Sequence, residues 1–284
     1  MSTSILLRPL DESTRQTLAD VVAATGAIGI HACLIGAQAR VIWLEHVHGL
    51  KAGRATEDTD FAIQVEDWAQ FEALSRHLTD HCSWFRRSRQ GQRFVSSSGR
   101  IVDLVPCGGV AVDDPVTLPP DHTHRMDVRG FELAVSESVG IEYGEGQRVR
   151  IAPLHILVLL KLVSWWDREI GKEKDAQDLV TLLRSYADTD ADNLLALDAH
   201  LGLYDAEDDQ KHRGARLVGR LIASAADDAT LALVRAILAD ELDEDGSLRL
   251  VSQVAPAMTG DPAHRAQVAF ALISALLRGL DEGS

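Results

Sequence analysis

The chain has 284 residues, 46% hydrophobic and 25% charged, with three cysteines and a formal net charge of −15. These proportions fit a globular protein of one large or two modest domains, and exclude wholesale disorder, a collagen-like fibre and a cysteine-stapled mini-protein. Ten of the net negative charges fall in residues 188–284, so the acidity that repels polyanions belongs to the C-terminal third and leaves the N-terminal part open to a phosphate-bearing ligand.

In chain order, Ser13–Ala24 places Leu18, Val21 and Val22 at helical spacing, with Gly26 as the predicted stop. Ile28–Ile35 is a short apolar run that predicts a buried strand, and it leads through Gly36-Ala37-Gln38-Ala39-Arg40 into a helical Val41–Val47. Residues 48–57 are turn-like. Asp58–Val65 alternates with period two, a strand. Glu66–Leu78 predicts a helix whose first-turn acids complement its dipole. Gln92–Ser97 and Arg100–Val105 read as a hairpin about Ser-Gly. A Pro- and Asp-rich loop from Cys107 to Pro120 precedes a second hairpin, Ile141–Ile151, turning at Gly144–Gly146. After Pro153, a favourable first helical residue, Leu154–Trp166 is a strongly apolar helix. Gly171 interrupts, and Lys172–Tyr186 follows with Leu179, Leu182 and Leu183 on one side. Beyond it lies only helical periodicity: Asp192–Leu201, Lys211–Ala225, Asp228–Leu242 and Pro262–Leu280. No fixed-period repeat or low-complexity tract interrupts this pattern. Cys33, Cys82 and Cys107 are too widely spaced for a disulfide framework or a C-x-x-C metal pair. No apolar run approaches the ~18 residues of a membrane helix, and the N-terminus lacks a signal-peptide apolar region, so the expectation is a cytoplasmic protein with no membrane partner.

Three features carry chemistry. Asp58 and Asp60 sit two apart on a strand and so point to one face, with Ala62, while Phe61, Ile63 and Val65 take the other. Paired carboxylates repel unless a cation lies between them, and Mg²⁺ is held by a few carboxylates plus substrate phosphates. The alternative is a solvated strand end. Asp103 lies in an apolar strand, where a carboxylate is costly unless it binds metal or pairs with an arginine such as Arg93 or Arg100. Three such carboxylates can hold metal ions for an in-line phosphoryl displacement, and Asp103 is expected to converge with the other two. Gly36, where a buried strand meets a helix, lets backbone N–H groups approach a phosphate.

The apolar strand, the glycine turn, the helix, R-x-T-x-D-x-D from Arg54 to Asp60 and the third-strand Asp103 together resemble the DNA polymerase β-like nucleotidyltransferase superfamily. Leu-Leu-Lys161-Leu-Val, Asp167-Arg168 and Lys174-Asp175-Ala-Gln-Asp178-Leu resemble the AbiEii-type branch, which includes toxins of bacterial toxin–antitoxin and phage-defence systems. The resemblance implies an α+β fold: a nucleotidyltransferase-like mixed sheet flanked by helices over residues 1–186, then an acidic all-helical region over 187–284. It further implies Mg²⁺ dependence and transfer of a nucleoside monophosphate from an NTP to an acceptor hydroxyl. Carried over by position, Asp58, Asp60 and Asp103 are the metal ligands, with Asp103 the general base. Gly36 and Ala37 form the turn against the triphosphate, where Ala37 leaves only backbone N–H groups. Arg54, Thr56 and Arg168 contact the nucleotide, Lys161 reaches phosphate, and Asp175 orients Lys161 or holds Arg168.

The implied partners are an NTP, an acceptor such as tRNA and a cognate antitoxin. A protein hydroxyl or a small molecule such as an aminoglycoside is an equally lawful acceptor for the fold, and the K-D-x-x-D segment favours the toxin branch. Two other readings stand beside it: a non-catalytic nucleotide- or partner-binding relative, and an unrelated α+β domain whose D-x-D is a strand end. The arginines at 76, 86, 87, 89, 93 and 100 form a basic stretch suited to RNA or to a solvated face. His77 and His81 have metal-compatible spacing but no fourth ligand. Glu241-x-Asp243-x-Asp245-Gly246 lacks the closing Glu of a Ca²⁺ loop.

Overall fold

The computed structural model describes residues 3–86, 91–111, 115–118, 124–168, 172–190, 192–196, 209–243 and 245–283. The chain forms two compact units, Met1–Pro153 and Leu154–Ser284. The first unit is built on a mixed eight-stranded sheet. Its strands are β1 (Thr3–Ile5), β2 (His31–Ile35), β3 (Asp58–Val65), β4 (Phe85–Arg86), β5 (Arg93–Val95), β6 (Ile101–Gly108), β9 (Val139–Gly144) and β10 (Gln147–Ile151), in the order β1-β9-β10-β2-β3-β6-β5-β4. Strands β7 (Pro115–Leu118) and β8 (His124–Asp127) pair separately, β7 inside the expected Cys107–Pro120 loop and β8 just beyond it. The central pairs set the site. β2 runs antiparallel to β3, β3 parallel to β6, and β6 antiparallel to β5.

Helix α1 (Glu12–Ile28) runs past Gly26 and ends at Gly29, which takes the left-handed conformation (φ +78°) and donates to Thr25. The expected stop at Gly26 fails because a glycine inside a helix only weakens it, whereas a cap needs the positive φ that Gly29 supplies. Helix α2 (Gly36–Val41) passes into a wider turn of helix, Ile42–Val47. Helices α3 (Trp68–His81) and α4 (Phe131–Ser136) complete the unit, with α1 packed against α3, and α4 on β2 and β3. Leu18, Val21, Phe71, Leu74 and Leu78 bury the apolar stripes of α1 and α3.

The second unit is helical: α5 (Leu154–Asp167), α6 (Lys172–Thr189), α7 (Gln210–Ala225), α8 (Asp228–Leu242), α9 (Arg249–Val254) and α10 (Pro262–Glu282). The boundary expected at 186/187 therefore differs from the observed division at 153/154. Helices α5 and α6 pack on each other and on α7, because α5 is apolar on nearly every side and α6 presents Leu179, Leu182 and Leu183 to it. Five aspartates cap helix starts. Asp11, Asp67, Asp209, Asp227 and Asp261 each accept a backbone N–H of the first turn at 2.8–3.0 Å, each cap contributing about 1 kcal/mol. No described helix is long and apolar enough to cross a membrane.

Candidate active site

Strand register assembles the site before any side-chain contact is considered. Asp60 lies directly opposite Asp103 across the β3–β6 pair, and Asp103 directly opposite Arg93 across β6–β5. Directly opposed residues project from the same face, so Arg93, Asp103 and Asp60 form one row across three strands. Asp58 joins that face two residues upstream of Asp60. On the other side Asp60 is paired with Ile35, the last residue of β2, and Gly36 follows at once.

Gly36 adopts φ +71°, the region that favours glycine, and a Cβ there would lie 2.9 Å from Asp60 Cγ and overlap Oδ2. The turn thus lies directly on the Asp60 carboxylate. Ala37 is buried behind it, as is Gln38, whose Oε1 accepts from Arg100 Nη2 at 3.2 Å. Arg100 also approaches Asp11 at 3.9 Å, so of the two arginines considered for Asp103 it serves the helix starts instead.

Arg93 takes Asp103. Its Nε donates to Oδ1 at 2.8 Å and its Nη2 to Oδ2 at 2.6 Å, a bidentate pair, and Nη2 lies 3.8 Å from Asp58 Oδ2. The Asp103 side chain is 12% exposed and that of Arg93 24%. Hydrogen bonding to Asp103, opposed by burial and reinforced by the charges of Asp103, Asp58 and Asp60, holds the guanidinium well above its usual range. The three acids share a face but are not gathered about one point. Among the described residues no group of three or more His, Cys, Asp or Glu is arranged to hold a metal ion. Arg93 supplies the positive charge there. The chemistry of the donor set, three carboxylates on one sheet face, still suits a hard divalent cation.

The long interval between Gly36 and Asp58 is pinned rather than loose. Arg40, on α2 and 1% exposed, donates from Nη2 to the Arg54 carbonyl at 3.1 Å. Glu45 Oε1 accepts from Ala52 N at 3.3 Å, and Thr56 Oγ1 donates to the Asp58 carbonyl at 3.2 Å. Arg54 and Thr56 thereby flank the start of β3, with Arg54 half-buried. The sequence reading passed over Arg40, although it is the one charged residue of the short helix Gly36–Val41, and that was the available signal.

Lys161, Arg168, Asp175 and Asp178 meet within the helical unit. Lys161 Nζ lies 2.9 Å from both Asp175 Oδ1 and Asp178 Oδ2, and Arg168 Nη1 lies 3.0 Å from Asp175 Oδ2. Both aspartates are fully buried, while the Arg168 side chain is 51% exposed. Burial by itself would depress the Lys161 ammonium, but the two carboxylates outweigh it and hold its pKa above the ordinary value.

The remaining candidates are local. His77 and His81 stack at 4.5 Å between ring centroids, and His81 Nδ1 meets the His77 carbonyl at 3.2 Å. Glu241 is buried and accepts from Leu250 N at 2.7 Å and from Ser247, fastening the start of α9. Arg76 contacts the Glu72 carbonyl. Arg87, Arg89 and the Arg86 side chain lie outside the described residues.

No family model and no curated protein sequence matches the chain. Among solved structures it is similar to an antigenic nucleotidyltransferase-like protein from Paracoccidioides brasiliensis, at 15% identity over 69% of this chain and 93% of that one, with a TM-score of 0.39. It is also similar to the antibiotic-resistance factor ANT(2'')-Ia, at 16% identity over 68% of this chain and 99% of that one, with a TM-score of 0.35.

Proposed function

We propose that the chain is a metal-dependent nucleotidyltransferase of the AbiEii-like kind, moving a nucleoside monophosphate from an NTP to a hydroxyl of an RNA acceptor such as tRNA and restrained by a cognate antitoxin. The observation that carries this reading is the contact of the Gly36 turn with the Asp60 carboxylate, in the same row as Asp103. A turn without a side chain beside an acidic sheet face brings phosphate-binding backbone and carboxylates within one ligand's reach.

Asp58, Asp60 and Asp103 would hold Mg²⁺, which when bound supplies charge neutralisation for the phosphoryl oxygens. Gly36 and Ala37 offer backbone N–H groups to the triphosphate, and Arg54 and Thr56 shape the approach to the acids. Asp103 accepts the proton of the acceptor hydroxyl as its oxygen bonds the α-phosphorus, the α–β phosphoanhydride bond breaks and pyrophosphate leaves. Lys161, Asp175 and Arg168 belong to the proposal through the sequence resemblance. Within their cluster, half-exposed Arg168 is the cation most open to phosphate.

The test is incorporation of each α-labelled NTP into total RNA with Mg²⁺, using wild-type, Asp58→Ala, Asp60→Ala and Arg168→Gln proteins. Label from one NTP in RNA, lost in both Asp variants, is the expected result. Transfer that survives Asp58→Ala overturns the reading. The Arg93–Asp103 pair favours one alternative, a non-catalytic nucleotide-binding protein. That alternative predicts nucleotide binding without transfer, the same in Asp58→Ala as in the wild type.

A further inference from the structure

The carboxylate row carries its own cation, and the transfer reading does not account for it. Asp103 is nearly buried, and a carboxylate in that setting needs a positive partner. Both its oxygens accept from Arg93, whose Nη2 also stands 3.8 Å from Asp58. A divalent ion held by the same acids would sit within a few ångströms of this guanidinium, where like charges repel strongly. Arg93 is long, comes from a three-residue strand and is 24% exposed, so it has a way out toward solvent. A planar guanidinium that leaves a carboxylate is matched equally well by a phosphate.

We propose that Arg93 is a further positioning residue of this site: it holds Asp103 in the metal-free protein, yields that carboxylate when a divalent cation loads, and turns its guanidinium to the phosphate oxygens of the nucleotide. The inference rests on the nucleotidyl-transfer reading. It makes metal and nucleotide binding mutually reinforcing, since the nucleotide gives the displaced guanidinium a new partner.

The experiment is Mn²⁺ binding followed by electron paramagnetic resonance, with and without a non-hydrolysable NTP analogue. Wild-type, Arg93→Gln, Arg93→Lys and Asp58→Ala proteins are compared, each checked for fold by far-UV circular dichroism. Without nucleotide, Arg93→Gln is expected to bind Mn²⁺ at least about tenfold tighter than wild type. The analogue, whose phosphates are themselves ligands for the cation, should tighten Mn²⁺ binding in both proteins, and by a larger factor in the wild type than in Arg93→Gln. Arg93→Lys, which keeps the charge but not the fork, should tighten less and show a nucleotide effect smaller than the wild type's, and it decides the matter should Arg93→Gln not fold. Mn²⁺ binding that is Asp58-dependent but equal in wild type and the Arg93 variants overturns the role of Arg93 and leaves the transfer reading standing. No Asp58-dependent Mn²⁺ binding in any protein overturns both.

Discussion

Gly36→Ala and Gly26→Ala make the same chemical change and should shift stability in opposite directions. At Gly36 the backbone is left-handed, which costs an alanine about 1–2 kcal/mol. The new Cβ would also lie 2.9 Å from Asp60 Cγ and 3.0 Å from its Cβ, overlapping Oδ2, with the strand pair Ile35–Asp60 fixing both sides. Overpacking of that kind costs about 1–3 kcal/mol, so the sum is roughly 2–5 kcal/mol, or a melting-temperature drop of roughly 5–15 °C. At Gly26, inside α1, nothing lies within 4 Å of an added Cβ. Alanine there gains about 1 kcal/mol of helix propensity. Urea denaturation followed by tryptophan fluorescence measures both, with an unchanged slope showing that only stability has moved. Asp60→Ala in the Gly36→Ala background removes the carboxylate overlap and should recover about 1–2 kcal/mol relative to additivity. A Gly36→Ala protein as stable as wild type, or strict additivity with Asp60→Ala, refutes the packing of the turn on the acid.

Lys161→Met leaves Asp175 and Asp178 buried without their shared cation and should cost about 3–5 kcal/mol, whereas Arg168→Gln, which removes an exposed partner, should cost less than about 1 kcal/mol; denaturation midpoints of the two variants check the order. Burial, opposed by Asp190, pulls the His155 pKa down to about 4 from 6.5. The unfolded chain therefore binds the extra proton first, so stability should be full above about pH 6.5, fall by up to about 3 kcal/mol toward pH 4 and level off below. Denaturation midpoints across that range, with a shallower slope in His155→Gln, are the measurement. Burial pushes the Cys33 and Cys107 thiols up to about 12, while Cys82 is partly exposed. A thiol reagent at pH 8 should therefore modify one cysteine of the native protein quickly and all three only after denaturation.

Local chemistry made part of this protein legible in its sequence. The alternation of Asp58–Val65 marked β3 at both its ends, and placed Asp58 and Asp60 on one face, because a strand's period of two is a property of its own residues. Asp228–Leu242 was likewise readable from helical spacing alone, and it matches α8. Partnership was not legible. Whether Asp103 meets a metal or an arginine depends on the register that sets Arg93, Asp103 and Asp60 side by side, and register is chosen by the packing of whole strands. The same holds for Lys161, whose apolar neighbours and seven-residue spacing to Arg168 are visible in the chain. Its capture between two buried aspartates exists only once α5 and α6 are packed. Sequence named the charged residues, and only the tertiary structure decided which opposite charge each one faces, since that depends on a few ångströms between elements far apart along the chain.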